Sequence, residues 1–346
     1  MKRRLPLLLS LLLPGFAMAG EPIDFHYTNP QVLAATDAAT AGEAWFARCA
    51  AGGQFADLAR GYAPDPRLTR EQRETAEKGF DRARFEKIAQ SAYDRVVTDL
   101  PQGRLTLCVD FTAPDDAFTR DRMQGVIALT AGHGKVVVKL HPQADWAKLL
   151  PYVLAHELHH SYWAKEQFRP DAAFTLADYL VFEGRADYYA NNVFGAHPAP
   201  WIRALDDAQY TATLAAFRPN LGETSPQVLM GAMFGNPQAG IPMWAGYSVG
   251  YRLVAARLDG KPHDWAAITA MKAAEFIPPN DGVNRGWRAA QPPPPPGLPW
   301  MPPLASTAGS SNGFSTFSGR PVTSRATSST ARFSLYACLA MAAPFS

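Results

Sequence analysis

The chain is poor in cysteine, with Cys49, Cys108 and Cys338 among 346 residues, and it has no C-x-x-C pair. That excludes a thiolate zinc site and a disulfide-dense scaffold. It has no internal apolar run near the roughly eighteen residues of a membrane helix. It has no marked excess of either charge sign, the formal net charge being +2. With no basic patch, nucleic acid is not an expected partner. Acidic residues are absent from Gly282 to the end.

What is present begins with MKRRLPLLLSLLLPGFAMAG. Lys2, Arg3 and Arg4 precede the short apolar run Leu5 to Phe16, and Ala17-Met18-Ala19 forms a small-x-small site. This pattern predicts a secretory signal peptide over residues 1–19, cleaved before Gly20, and a periplasmic or secreted mature protein. Loss of those three basic residues takes the formal charge from +2 to −1. The run is too short for stable membrane insertion. In an oxidising compartment Cys49 and Cys108 are candidates for a disulfide, although pairing cannot be read from sequence.

Residues 20–290 read as one globular domain. Helical periodicity covers Ala41–Ala50 and Arg70–Thr98. Strand-like runs follow at Arg104–Phe111, Gln124–Thr130 and Lys135–His141, the last two joined through Gly132 and Gly134 as a hairpin. The helix that carries VLAHELHHSYW comes next, with Pro151 in its first turn, and helical patterns then occupy 171–194, 200–217, 243–258 and 263–276. From Gln291 the sequence becomes QPPPPPGLPWMPP and then Ser/Thr/Gly-rich. Residues 291–346 are expected to be a disordered tail.

The chemistry concentrates at His156-Glu157-Leu158-His159-His160, an H-E-x-x-H within VLAHELHHSYW. Side chains four apart lie about 40° from one another around a helix, so His156 and His160 can reach one ion. Glu157 projects about 100° from His156, free to act on a water rather than as a ligand. No charged residue other than Glu157 occurs between Leu149 and Ala164, so this helix is expected to be buried. A zinc hydrolase requires a third protein ligand and an open position. The metzincin pattern would place Gly and His where this chain has Trp163 and Glu166. A di-iron site would need a second E-x-x-H, which is lacking. The better third ligand is Glu183, in the apolar segment TLADYLVFEGRADYYANN, where a lone carboxylate needs a partner. Its competing partner is Arg185. Asp187, one turn later, is placed to accept a hydrogen bond from the other ring nitrogen of a ligand histidine. His159, on another helix face, is expected to be a buried or rim histidine.

HELHHSYW, LVFEGRADYYA and WAGYSVGYRLV together resemble a family of predicted bacterial Zn-dependent proteases catalogued as a domain of unknown function. Its members carry an HExxH helix, a downstream E-G-x-A-[DE] motif and a later G-Y-x-x-G-Y segment. The resemblance spans roughly residues 90–260. It implies a gluzincin-like site with His156, His160 and Glu183 as ligands of one zinc ion and Glu157 as base. The fold expectation is a mainly helical α+β, zincin-like domain with a small β-sheet before the HExxH helix. An exposed sheet edge there could take an extended peptide or protein substrate. The phenols of Tyr247 or Tyr251 are candidate donors to a developing oxyanion, against packing in the core. Two alternatives to peptide hydrolysis stand: a zinc hydrolase of a non-peptide or cell-wall amide, and a non-catalytic periplasmic protein on the same scaffold.

Overall fold

The computed structural model describes residues 22–28, 38–65 and 68–279. The leader 1–19 and the tail from 291 lie outside the described residues. The fold is α+β and mostly helical.

In chain order the elements are β1 (Asp24–Tyr27), α1 (Ala38–Cys49), α2 (Ala56–Ala59), α3 (Arg70–Gly79), α4 (Arg82–Val97), β2 (Thr106–Phe111), β3 (Val126–Gly132) and β4 (Lys135–Leu140). Six helices follow: α5 (Leu150–Glu166), α6 (Leu176–Phe194), α7 (Asp207–Phe217), α8 (Pro226–Phe234), α9 (Ala245–Leu258) and α10 (Trp265–Ala270).

The four strands form one mixed sheet in the order β1-β2-β4-β3. β2 pairs in parallel with β1 and with β4, while β3 and β4 form the expected antiparallel hairpin. Among the described residues β3 therefore borders the sheet on one side. Alternation divides the faces. Leu107, Val109, Val126, Val136, Val138 and Leu140 pack in one core with Phe85, Ala89 and Val96 of α4 and with α5. Cys108, Leu129, Ala131 and Val137 face the other way, onto Trp45, Cys49, Phe55 and Leu58. A disulfide joins Cys49, the last residue of α1, to Cys108 on β2. The residues it spans number 59. Closing a loop of that size stabilises a fold by about 4 kcal/mol in the chain-entropy account.

Local signals moved several boundaries. The run 70–98 is two helices rather than one. Phe80 turns extended to pack its ring on Phe85, Phe111 and Trp146, and the Asp81 carboxylate then accepts from Arg84 N–H to start α4. Helix α6 begins at Leu176, not 171, because Thr175 and Asp178 form a capping box. Asp206 and Gln209 form another, dividing the run 200–217 into a 3-10 turn and α7. Asp264 caps α10, which ends at Ala270. Strand β1 and helices α2 and α8 carry no pattern strong enough to have been expected.

Helices α6 and α9 cross with their backbones in direct contact. A Cβ added at Gly184 would lie 2.3 Å from Gly250 C and O, and one at Gly250 would lie 2.0 Å from Leu180 O. Gly184 of LVFEGRADYYA and Gly250 of GYSVGY are thus one crossing point. They permit α6 to approach closely while it presents the residue before Gly184.

Candidate active site

Helix α5 starts with Pro151 in its first turn, where a missing N–H costs nothing. It is buried on nearly every side, with Tyr152, Leu154, Ala155, Leu158 and Ser161 all close to fully covered. Its two motif histidines stand edge to face, ring centroids 4.5 Å apart, with their Nε2 atoms separated by 2.9 Å. Helix α6 adds Glu183, whose Oε2 lies 3.2 Å from His156 Nε2 and 3.4 Å from His160 Nε2. All three side chains are buried. Among the described residues they form a cluster of ligand-type atoms lying within 4.8 Å of one another.

The surroundings hold these groups in place. Asp187 Oδ1 is 2.9 Å from His156 Nδ1 and accepts from Tyr152 O–H at 3.0 Å and Trp201 Nε1–H at 2.9 Å. This keeps the His156 Nε2 edge turned toward Glu183. The Phe182 ring stacks on His160, with centroids 3.9 Å apart and planes 10° from parallel. Glu157 projects toward β3, where Thr130 Oγ1 lies 2.6 Å from the Glu157 carbonyl and 2.8 Å from its Oε2.

Electrostatics follow from that packing. Burial pushes the His156 imidazolium toward losing its proton, but Asp187 and Glu183 outweigh it and hold the pKa well above the ordinary 6.5. Burial would raise the Glu183 carboxyl, yet His160 and His156 bring it down to about 2. The Tyr247 phenol is raised well above its ordinary range by burial and then by Glu183. Tyr62, half-buried in the turn after α2, is raised by burial and by both Glu157 and Glu183.

Apart from Tyr247, the remaining residues singled out in the sequence lie elsewhere. Arg185 does not pair with Glu183. Its Nη1 donates to the carbonyls of Ile268, Thr269 and Met271 at the end of α10. His159 is buried with Nε2 3.2 Å from Thr269 Oγ1, and burial keeps its pKa well below 6.5. Glu166 is half-exposed beside Lys165, and Asp178 pairs with Thr175 in the capping box of α6. Tyr251 accepts from Asn191 Nδ2–H at 3.0 Å, so its hydroxyl is engaged. Tyr247 sits on the first turn of α9 against Trp201 and Phe234, with no hydrogen bond among the described residues. Thr130 and Tyr62 escaped sequence reasoning because both are brought in by the sheet edge and the segment before it, with no local motif to mark them.

The three ligand-type groups fit a tetrahedral zinc ion. Ligand atoms 2.0–2.2 Å from such an ion stand about 3.3–3.6 Å apart, close to the separations here. A shared cation would also balance two Nε2 atoms facing each other at 2.9 Å with a carboxylate oxygen alongside.

Two histidines from one helix and a glutamate from the next, with a second glutamate between the histidines, make a His/His/Glu cluster of the class that could hold a metal ion. The chain belongs to the family described as Predicted Zn-dependent protease (DUF2268), whose model matches residues 85–278. A curated protein of Bacillus subtilis (strain 168), described as uncharacterized protein YjfC, is 28% identical over 153 residues, which is 42% of this chain and 51% of that relative. The chain thus spans about half the length of the curated relative it matches. No solved structure matches. No helix among the described residues is long and apolar enough to cross a membrane.

Proposed function

We propose that this chain is an exported, zincin-like zinc metallopeptidase that hydrolyses peptide bonds. The observation that carries the reading is the convergence of His156 Nε2, His160 Nε2 and Glu183 Oε2 beside the Glu157 carboxylate. His156, His160 and Glu183 would hold one Zn²⁺, and that ion would supply Lewis acidity and bring the pKa of a water toward about 7.

The residues around that position do the rest. Glu157, held through Oε2 by Thr130, takes the proton of the attacking water on its carboxylate and returns it to the departing amine. Asp187 fixes the His156 tautomer, with the proton on Nδ1 and the lone pair on Nε2 directed at the ligand position. The phenols of Tyr247 and Tyr62, both kept protonated by burial and by Glu183, supply O–H donors for the oxyanion of the substrate. The enclosure of the ligands limits water and strengthens each of these interactions.

Export is supported by the basic-apolar-AMA start, and it agrees with a Cys49–Cys108 bond, which persists in oxidising compartments. An N-terminus at Gly20 in protein recovered outside the cytoplasm is expected. Retention of Met1 would overturn that part.

The decisive experiment is Glu157→Gln. It should leave zinc at one equivalent per chain by elemental analysis and remove hydrolysis of a peptide library. Activity equal to the unaltered protein would take Glu157 out of the mechanism, and absence of zinc in both would overturn the whole reading.

A further inference from the structure

Among the described residues two large apolar side chains stand exposed, Phe118 at 42% and Met243 at 48%, and they share a neighbour. Trp244 follows Met243 in the chain, and its ring centroid lies 6.3 Å from that of Phe118. Apolar residues scattered singly over a surface need no explanation, whereas a group of them marks a binding site.

Both exposed side chains are held out by fixed backbone. Phe118 opens a π turn, Phe118–Arg122, which Asp116 pins by accepting from Thr119 N–H at 2.9 Å and from Thr119 O–H at 2.6 Å. Gly125 N–H donates back to Thr119 O at 2.8 Å, so the turn ends where β3 starts. Met243 follows a loop in which Asn236 and Ile241 exchange two backbone hydrogen bonds at 2.9 Å. Backbone strain collects at the same place. Gln124, between the π turn and β3, has φ 50°, and Trp244, just before α9, has φ 59°; they are the non-glycine residues with positive φ among those described. Glycine would take either conformation freely, yet position 244 carries the largest side chain. Such conformations persist where the surrounding structure enforces them, and they cluster at ligand sites.

The group adjoins the proposed centre from two sides. The Trp244 ring is 6.4 Å from that of Trp201, whose Nε1–H donates to Asp187, the partner of His156. Tyr247, one turn further along α9, lies 6.5 Å from the same indole. On the sheet side the Phe118 turn leads into β3, whose Thr130 meets Glu157. At the Gly132 end of β3, Phe55 N–H already donates to Ala131 O at 2.9 Å, so that part of the edge is filled. A peptide lying along β3 from Thr130 therefore extends toward Val126, Phe118 and Trp244. The stretch from Thr130 to Val126 is about 13 Å of extended chain.

We infer that Phe118, Met243 and Trp244 form a subsite for a large apolar side chain of the peptide substrate, within about four residues of the cleaved bond. This rests on the peptidase reading above. Seating such a side chain removes apolar surface from water on both partners, and the two rings offer it aromatic faces and edges.

The test digests a peptide library with the zinc-loaded full chain and reads the cut sites by mass spectrometry. Phenylalanine, leucine, methionine or tryptophan should be favoured over serine about ten-fold or more at one position within about four residues of the cut, the discrimination an apolar pocket reaches. Steady-state kinetics then compare the best peptide with its copy carrying serine at that position. In Phe118→Ala and in Met243→Ala the ratio of their kcat/KM values should fall about ten-fold, chiefly through a higher KM for the apolar peptide. Both residues are exposed, so urea unfolding should give the midpoint of the unaltered protein. No apolar preference near the cut, or an unaltered ratio in either variant, would overturn the subsite and leave the peptidase reading standing. An equal loss of activity on both peptides would overturn it likewise. No cleavage of any peptide by protein holding one zinc would overturn the peptidase reading, and the subsite with it.

Discussion

Gly250→Ala tests how the site is assembled. The new Cβ would lie 2.0 Å from Leu180 O, whereas ordinary contact begins at 3.4 Å, so α6 and α9 must part by about the difference of 1.4 Å. Overpacked cores lose about 1–3 kcal/mol, and a clash with backbone belongs at the upper end, about 3 kcal/mol. Glu183 sits one turn from Leu180 on the same helix. A zinc site tolerates about 0.2 Å of error in its bonds, so even part of that displacement should weaken zinc binding by at least about ten-fold. Urea unfolding and competitive zinc titration measure the two effects. Gly42→Ala is the control, because a Cβ there meets nothing within 4 Å in the interior of α1. It should be neutral or stabilising by up to about 1 kcal/mol. An unchanged urea midpoint and zinc affinity in Gly250→Ala would refute the claim that this crossing sets the position of Glu183.

Thr130→Val keeps the shape and removes the donor to Glu157. Steady-state kinetics should show kcat down about ten-fold with zinc content and KM little changed, and a fall confined to KM would count against positioning of the base. Asp187→Asn leaves an acceptor for His156 but removes the charge and places amide hydrogens where Oδ2 has no partner. Zinc affinity should fall about 10–100-fold by competitive titration, and an unchanged value would remove Asp187 from its supporting role. Metal-free protein should be most stable between about pH 4.5 and 6.5. The raised His156 pKa gives stability that is present below 6.5 and lost as pH rises through the folded value, whereas the Glu183 pKa of about 2 gives stability present above 4.5 and lost on acidification toward 2. A Tm of the metal-free protein that climbs steadily to pH 9 would contradict this assignment.

Features that depend on neighbours in the chain were legible without the fold. The i,i+4 spacing puts His156 and His160 side by side on any helix, and an uncharged run around them implies a buried one. The β3–β4 hairpin was readable from Gly132 and Gly134, and Glu183 stood out as a lone carboxylate among apolar residues. Helix boundaries were read less well, because one residue can end a helix: Phe80 and Asp81 divide α3 from α4, and Thr175 with Asp178 delays the start of α6.

What only the tertiary structure decided is relative placement. The sheet order makes β3 the border and brings Thr130 to Glu157. The Gly184–Gly250 crossing sets the roll of α6, so Glu183 faces the histidines while Arg185 turns to α10. The Cys49–Cys108 bond ties the end of α1 to β2. These contacts join residues tens of positions apart, and no local spacing encodes how two helices cross or which strand is left at an edge.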